Sequence, residues 1–243
     1  VPQWITGTCL GANRKNPMSS MNSYDSKPSD SQPVIVLGAG GHAAVIISSL
    51  QRLGINILGV TSPDDPVEAE ILGVPVIGKD EEIDAWTTRD IILVNGIGMV
   101  TVGKSNRHTC ASRMRNLGFH FRTVVDPTAI TAPKANLDEG VQILAGAIVQ
   151  PRASIGRDSI VNTGSRIDHD CDIGVECHIC PGVTLAGGVK VKQGSVIGAG
   201  TTVIPGITIG EDSLIAAGSV VFSDVPPGSH VIQPRMTVPP TQE

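Results

Sequence analysis

Aromatic rings are the scarcest component of this 243-residue sequence: three Phe, two Trp and one Tyr, 2% of the chain. A core drawn from the 40% of residues that are hydrophobic must therefore be filled by Val, Ile, Leu and Ala, which suits regular β architecture better than an irregular mixed globule. Cations are not in excess. Eighteen Lys and Arg stand against 23 Asp and Glu, a formal charge of −5, which does not supply the phosphate neutralisation a nucleic-acid partner demands. Long apolar runs are missing too, since none reaches the roughly 18–20 residues of a bilayer span. Five cysteines, an odd number in a chain too long to need staples, read as free thiols in a reducing compartment. Val1-Pro2-Gln3-Trp4 opens no basic-then-apolar leader, so the expected localisation is cytoplasmic.

What is abundant is Gly (28) and Pro (17), distributed over three textures. Residues 1–32 are polar and lack apolar periodicity, and are expected to be a flexible extension. Residues 33–123 alternate strand and helix patterns. Val34-Ile35-Val36-Leu37 breaks at Gly38-Ala39-Gly40-Gly41, His42–Leu50 has helical character, and Ile55–Val60 and Ile91–Val94 are further strands. That alternation predicts a parallel sheet with room for only half of a doubly wound nucleotide fold.

Residues 124–243 carry a strict period of six. Every sixth residue from Leu137 to Val221 is aliphatic, fifteen in succession, and two positions before each stands a small or β-branched residue such as Ala147, Ser165 or Cys177. An α-helix cannot hold this stripe, because six residues advance about 600° and fall 240° out of phase. A coil of three flat six-residue sides can, with the aliphatic residue inward and the small one near each corner. Fifteen units make five turns, bounded where the register fails at Thr131 and Pro227.

Hexads such as Ile209-Gly210-Glu211-Asp212-Ser213-Leu214 resemble the left-handed parallel β-helix of hexapeptide-repeat acyltransferases. With Val36-Leu37-Gly38-Ala39-Gly40-Gly41-His42 in front, residues 33–235 resemble the sugar acetyltransferases of the sialic-acid O-acetyltransferase and bacillosamine N-acetyltransferase type. The resemblance implies an α/β half-Rossmann domain followed by a left-handed β-helix. It also implies a homotrimer, acetyl-CoA as co-substrate, and a nucleotide sugar as acceptor in surface glycan synthesis. His169 would be the general base and Asp170 its acidic partner. Asn162, His178, Gly187, Ala199 and Ala217 would contact acetyl-CoA. Gly40, Gly41 and His42, with Asn95, Gly96 and Gly98, would hold the nucleotide sugar. The tail from Pro226 through Arg235 would cap the last coil.

The residues support this chemistry and leave alternatives. An imidazole can take the proton an attacking nucleophile loses, and a carboxylate on its other nitrogen fixes the tautomer. The same base serves an amine or a hydroxyl, so O-acetylation of a sialic-acid-like sugar stays open, as does a non-catalytic β-helix trimer. Cys177-His178-Ile179-Cys180 has zinc-ligand spacing, and a gamma-class carbonic anhydrase, which holds zinc with histidines from neighbouring subunits, is a third reading whose three-ligand arrangement the sequence does not show. Cys171 and Cys177 nevertheless fall on the small inward offset, and no metal is expected. Gly38–Ala43 satisfies the dinucleotide pattern G-x-G-x-x-A, but the acidic residue expected some twenty positions on is absent. The second strand ends instead in Ser62-Pro63, with Asp64 and Asp65 displaced beyond it.

Overall fold

A computed structural model describes residues 32–67, 69–99 and 105–232. The expected extension (apart from Gln32) and the expected cap from Gln233 onward lie outside the described residues. The N-terminal unit is a five-stranded sheet built from β1 (Val34–Leu37), β2 (Ile57–Thr61), β3 (Glu70–Ile71), β4 (Val74–Gly78) and β5 (Ile92–Asn95), in the order β3-β4-β2-β1-β5. All pairings are parallel except the short β3–β4 hairpin. Helix α1 (Gly41–Arg52) buries Ala43, Ile46, Ile47 and Leu50, one stripe at helical spacing. Helix α2 (Asn106–Asn116) is capped by Ser105, whose hydroxyl accepts the His108 N–H. The sequence pattern does not announce α2, because its buried stripe contains Arg107 and Cys110 where aliphatic residues would signal it.

After α2 the chain runs beside β5 through the Leu93–Phe121 bridge and enters a three-sided parallel β-helix. Eighteen two-residue strands form its faces. Face one runs from Val124–Val125 to His230–Val231, face two from Ile130–Thr131 to Val220–Val221, and face three from Asn136–Leu137 to Thr208–Ile209. From Gln142–Ile143 through Val220–Val221 each strand pairs with the one eighteen residues before it, for example Thr184–Leu185 with Arg166–Ile167. The aliphatic ladder from Ile143 to Val221 is buried. The small offset is buried from Val141 to Ser219 except at partly buried Ile207, and its hydroxyls satisfy corner carbonyls. Ser159 donates to Gly174 O at 2.7 Å, and Ser165 to Cys180 O at 2.8 Å.

The coil is longer than the five turns expected from the ladder. Strand pairing starts two sides earlier, where Val124–Val125 joins Gln142–Ile143, and continues at Ile130–Thr131, which joins Ile148–Val149 although Thr131 is exposed at the open end. Beyond Val221 the coil shortens one side. Val225, four residues on, bridges to Ile209, and His230–Val231 then pairs with Leu214–Ile215. A backbone position three residues before each ladder residue turns the corner with positive φ. On the edge between faces one and two it is Gly at 146, 164, 182, 200 and 218, as a left-handed φ favours.

The N-terminal unit lies on face one. Outward residues Gln142, Ile160 and His178 are buried there, and Leu144 and Ile160 pack into the cluster of β1, β2 and α1. Buried Asp126 fastens α1 to the first coil, accepting hydrogen bonds from Ser49 and Thr128 and an ion pair from Arg52. Burial alone would raise its pKa, but these donors outweigh it and hold the carboxyl well below the ordinary range.

Candidate active site

The edge between faces two and three carries His169, whose side chain is 57% exposed. Its Nδ1 contacts Asp170 Oδ2 at 2.7 Å, and its own N–H donates to Asp168 Oδ1 at 2.7 Å. Asp170 also accepts two hydrogen bonds from Arg152, from Nε to Oδ1 at 2.6 Å and from Nη2 to Oδ2 at 2.7 Å. Arg152 first, and His169 second, hold the Asp170 carboxyl well below its usual range. With Asp170 ionised, Nδ1 is the donor, so the neutral ring carries its lone pair on Nε2. One turn above stands Gly187. A β-carbon there would lie 2.7 Å from His169 Cε1 and 2.9 Å from Nε2, so only hydrogen leaves the imidazole its place.

The first residue of each corner sets a second pattern. At His169 the preceding Asp168 side chain occupies the corner N–H, and at Thr163 the Asn162 side chain does the same at 2.7 Å. Gly187, Ala199 and Ala217 follow Ala186, Gly198 and Ala216, which carry no such acceptor. Among the described residues, no hydrogen bond uses their N–H groups. Those N–H groups are available to carbonyl oxygens of a bound molecule.

The seam on face one holds the remaining predicted residues. Gly40 and Gly41 form the open turn at the start of α1, with nothing within 4 Å of where a β-carbon would stand. First-turn N–H groups of this kind favour phosphate. Gly96 is wedged beneath the turn, where a β-carbon would lie 2.7 Å from Val36 Cγ1 and 2.9 Å from Leu37 O, and Gly98 borders His42. Gln142 Nε2 donates to Asn95 O at 2.7 Å, which turns its Oε1 toward His42 Nε2 at 2.8 Å. His42 is therefore the Nε2–H tautomer. Burial, then the nearby Arg107 charge, pulls its pKa down to about 4, so it meets a substrate as a neutral ring.

His178 is buried, with Nδ1–H donating to Met99 O and Nε2 facing Asn162 Nδ2 at 3.1 Å. Burial, and secondarily Arg107, lowers its pKa as well. This imidazole is committed to the seam, so a contact from it with acetyl-CoA would need its ring partners displaced. At the end of β2, Ser62 accepts the N–H of Asp64 and Asp65 and donates to the Asp65 carboxylate, leaving Asp64 exposed.

One chain thus gathers the predicted residues into two groups. His169, Asp170 and Gly187 share one edge. Asn162, Ala199 and Ala217 lie on the edge between faces one and two, beside His178, His42, Asn95 and Gly96 of the face-one seam. Face two separates the groups.

Sequence reasoning missed Arg107, Gln142 and Arg152. Arg107 is buried; its Nη1 holds Asn95 O at 2.9 Å and Ile97 O at 2.7 Å, and its Nη2 reaches Asp158 O at 3.2 Å. Burial lowers its pKa to about 10 against the opposing pull of Asp158 and Glu176. Nothing local in the sequence marks it. Arg152 was findable, since it stands eighteen residues before Asp170, one turn of the coil. Cys171 and Cys177 lie in the core, with thiols donating to Ala186 O and Lys192 O. Burial raises them to about 11 and about 12, away from the thiolate a zinc ligand requires. Among the described residues, no group of three His, Cys, Asp or Glu could hold a metal, and no helix is long and apolar enough to cross a membrane.

Two family models match the chain: the PglD N-terminal domain over residues 33–107 and the bacterial transferase hexapeptide (six repeats) over residues 188–223. PerB from Caulobacter crescentus, solved in complex with CoA and GDP-perosamine, is 36% identical. The match covers 82% of this chain and 92% of that one, with a TM-score of 0.75. The acetyltransferase domain of PglB from Neisseria gonorrhoeae, in complex with acetyl coenzyme A, is 28% identical over 82% of this chain and 95% of its own, also at 0.75. WeeI from Acinetobacter baumannii shares the fold at 19% identity and a TM-score of 0.74.

Proposed function

The chain belongs to the hexapeptide-repeat sugar acetyltransferases of the PglD type, and from that premise we propose how its own residues carry acetyl from acetyl-CoA to the amino group of a nucleotide-linked sugar. It is an acyltransferase of half-Rossmann and left-handed β-helix architecture, using acetyl-CoA and N-acetylating a nucleotide-linked amino sugar. The observation that carries the mechanistic reading is the imidazole of His169, pinned at Nδ1 by Asp170 and unpaired at Nε2 against Gly187.

The acceptor amine attacks the thioester carbonyl carbon and gives a proton to His169 Nε2, while Asp170 stabilises the imidazolium. The free N–H of Gly187 supplies a donor to the developing oxyanion. Collapse breaks the C–S bond, and the imidazolium returns its proton to the CoA sulfur, leaving the N-acetyl sugar and free thiol. Ala199 and Ala217 offer their N–H groups to the pantetheine amides. Gly40 and Gly41 take the diphosphate of the acceptor, and neutral His42, backed by the loop of Asn95, Gly96 and Gly98, lines the sugar.

The separation of the two residue groups by face two supports a homotrimer. The His169 edge of one copy would meet the Ala199 and Asn162 edge of its neighbour, making the site from two chains. The acceptor class supports a role in surface glycan synthesis in the cytoplasm, where acetyl-CoA and nucleotide sugars are available. The amine reading is preferred to sialic-acid-like O-acetylation because the 36% identical protein was solved with an amino-sugar nucleotide.

Thiol release from acetyl-CoA is to be followed with GDP-, UDP- and TDP-linked amino sugars and with free sialic acids. His169→Ala is expected to lower turnover by roughly 10²–10⁴. Near-wild-type turnover in that variant rejects the general base. A solution mass equal to one 25.2 kDa chain rejects the two-chain site.

A further inference from the structure

The corner positions of the β-helix show where side chains are needed. Along the edge between faces one and two every left-handed corner residue is Gly. Along the His169 edge the corresponding column reads Lys134, Arg152, Asp170, Gly188 and Gly206. Arg152 (φ 64°) and Asp170 (φ 60°) occupy left-handed backbone that glycine would adopt freely, directly above one another. Lys134 in the same column and Asp158, Glu176 and Asp212 on the edge between faces three and one share this backbone, so it is the contact between Arg152 and Asp170, rather than the conformation alone, that marks a task. The task here is legible in the distances. Both Arg152 contacts are at 2.6–2.7 Å, and the Asp170 oxygen that accepts from Arg152 Nη2 is the one facing His169 Nδ1. This is the two-pronged geometry that fixes the plane of a carboxylate as well as its position.

We infer that Arg152 is a positioning residue for acetyl transfer, acting through Asp170 on His169. Its guanidinium holds the carboxylate in the one orientation that presents Oδ2 to the imidazole. Its positive charge, on the far side of Asp170, offsets part of the carboxylate's pull on the imidazolium. A carboxylate beside an imidazole stabilises the protonated ring, which cannot accept a proton, and a cation bound to that carboxylate opposes this effect. The charged groups placed at this corner are Asp170, in contact with the ring, Asp168, held on the His169 N–H, and Arg152, one turn below, in contact with Asp170. The glycine column above contributes none. The inference rests on His169 acting as the base, but its coupling to the imidazole can be read without turnover.

The test uses the full-length protein with Arg152→Gln and Arg152→Lys, each checked for an unchanged thermal midpoint. Arg152→Gln removes the charge. The acid limb of kcat/KM and the His169 Cε1–H titration followed by NMR are both expected to move up by about half a pH unit, the reach of one point charge across a wet surface. Its kcat at neutral pH is expected to fall about tenfold from loss of orientation. Arg152→Lys keeps the charge without the fork, so its acid limb should stay in place while kcat still falls. In a His169→Ala background, Arg152→Gln should cost nothing further, as expected of residues acting in series. An NMR titration that does not move overturns the inference, as does an Arg152→Gln cost that persists without His169. If His169→Ala retains full turnover while the titration still moves in Arg152→Gln, the base assignment fails and the Arg152 coupling stands.

Discussion

Gly187→Ala probes the catalytic geometry with a single methyl group. Gly187 has an ordinary backbone conformation, so alanine itself is unstrained there. The methyl carbon, however, would lie 2.7 Å from His169 Cε1 and 2.9 Å from Nε2, where ordinary contact begins at 3.4 Å. The ring is more than half exposed and free to retreat, so the fold should absorb the change and the thermal midpoint should move by no more than about 2 °C. Relief requires the imidazole to withdraw by roughly 0.5–1 Å, which pulls Nε2 from the reacting amine and strains the contact with Asp170. A misplacement of about 1 Å costs on the order of 10² in rate, so kcat should fall about 10- to 100-fold. The assay is thiol release under saturating acceptor, with KM for the nucleotide sugar expected to hold because that site lies across the face-one seam. A Gly187→Ala enzyme with wild-type kcat would falsify the placement of the base beside Gly187. So would a further loss when Gly187→Ala is added to His169→Ala.

Two other perturbations address the seam. Asp126→Asn should cost about 2–4 kcal/mol, since a buried carboxylate with charged and hydroxyl donors is replaced by an amide that cannot satisfy them all. Because the native Asp126 pKa is lowered, this stability is present above the unfolded-chain value near 3.9 and is lost as pH falls below it. Urea midpoints that decline equally toward low pH in wild type and variant would contradict the assignment. Arg107→Lys keeps a cation but cannot hold Asn95 O, Ile97 O and Asp158 O together. KM for the nucleotide sugar should rise roughly tenfold with KM for acetyl-CoA unmoved, and a parallel rise in both would count against Arg107 as the pin of that loop.

The hexad ladder, the Gly-rich turn before α1 and the Asp168-His169-Asp170 corner were legible in the sequence because each is decided within a few residues or at a fixed repeat. Fifteen aliphatic residues at one spacing admit a single inward stripe, and a residue eighteen positions on must lie one coil higher, as Gly187 does above His169. The ends of the coil were not legible. Thr131 breaks the aliphatic rule while keeping the strand pairing, and the four-residue step to Val225 leaves the period altogether.

Only the tertiary structure decided which face the N-terminal unit covers, and with it the state of the buried rings. The His42–Gln142 contact joins residues 100 apart, and the His178–Met99 contact residues 79 apart. No repeat or local propensity encodes such pairings; they form where two surfaces far apart in the sequence pack together and every buried polar group must find a partner. That meeting commits His178 to the seam, leaves His42 neutral, and recruits Arg107 from a helix whose sequence gave no sign of it. A repeating coil is specified by its nearest neighbours, whereas the seam between two units is specified by what each leaves unsatisfied.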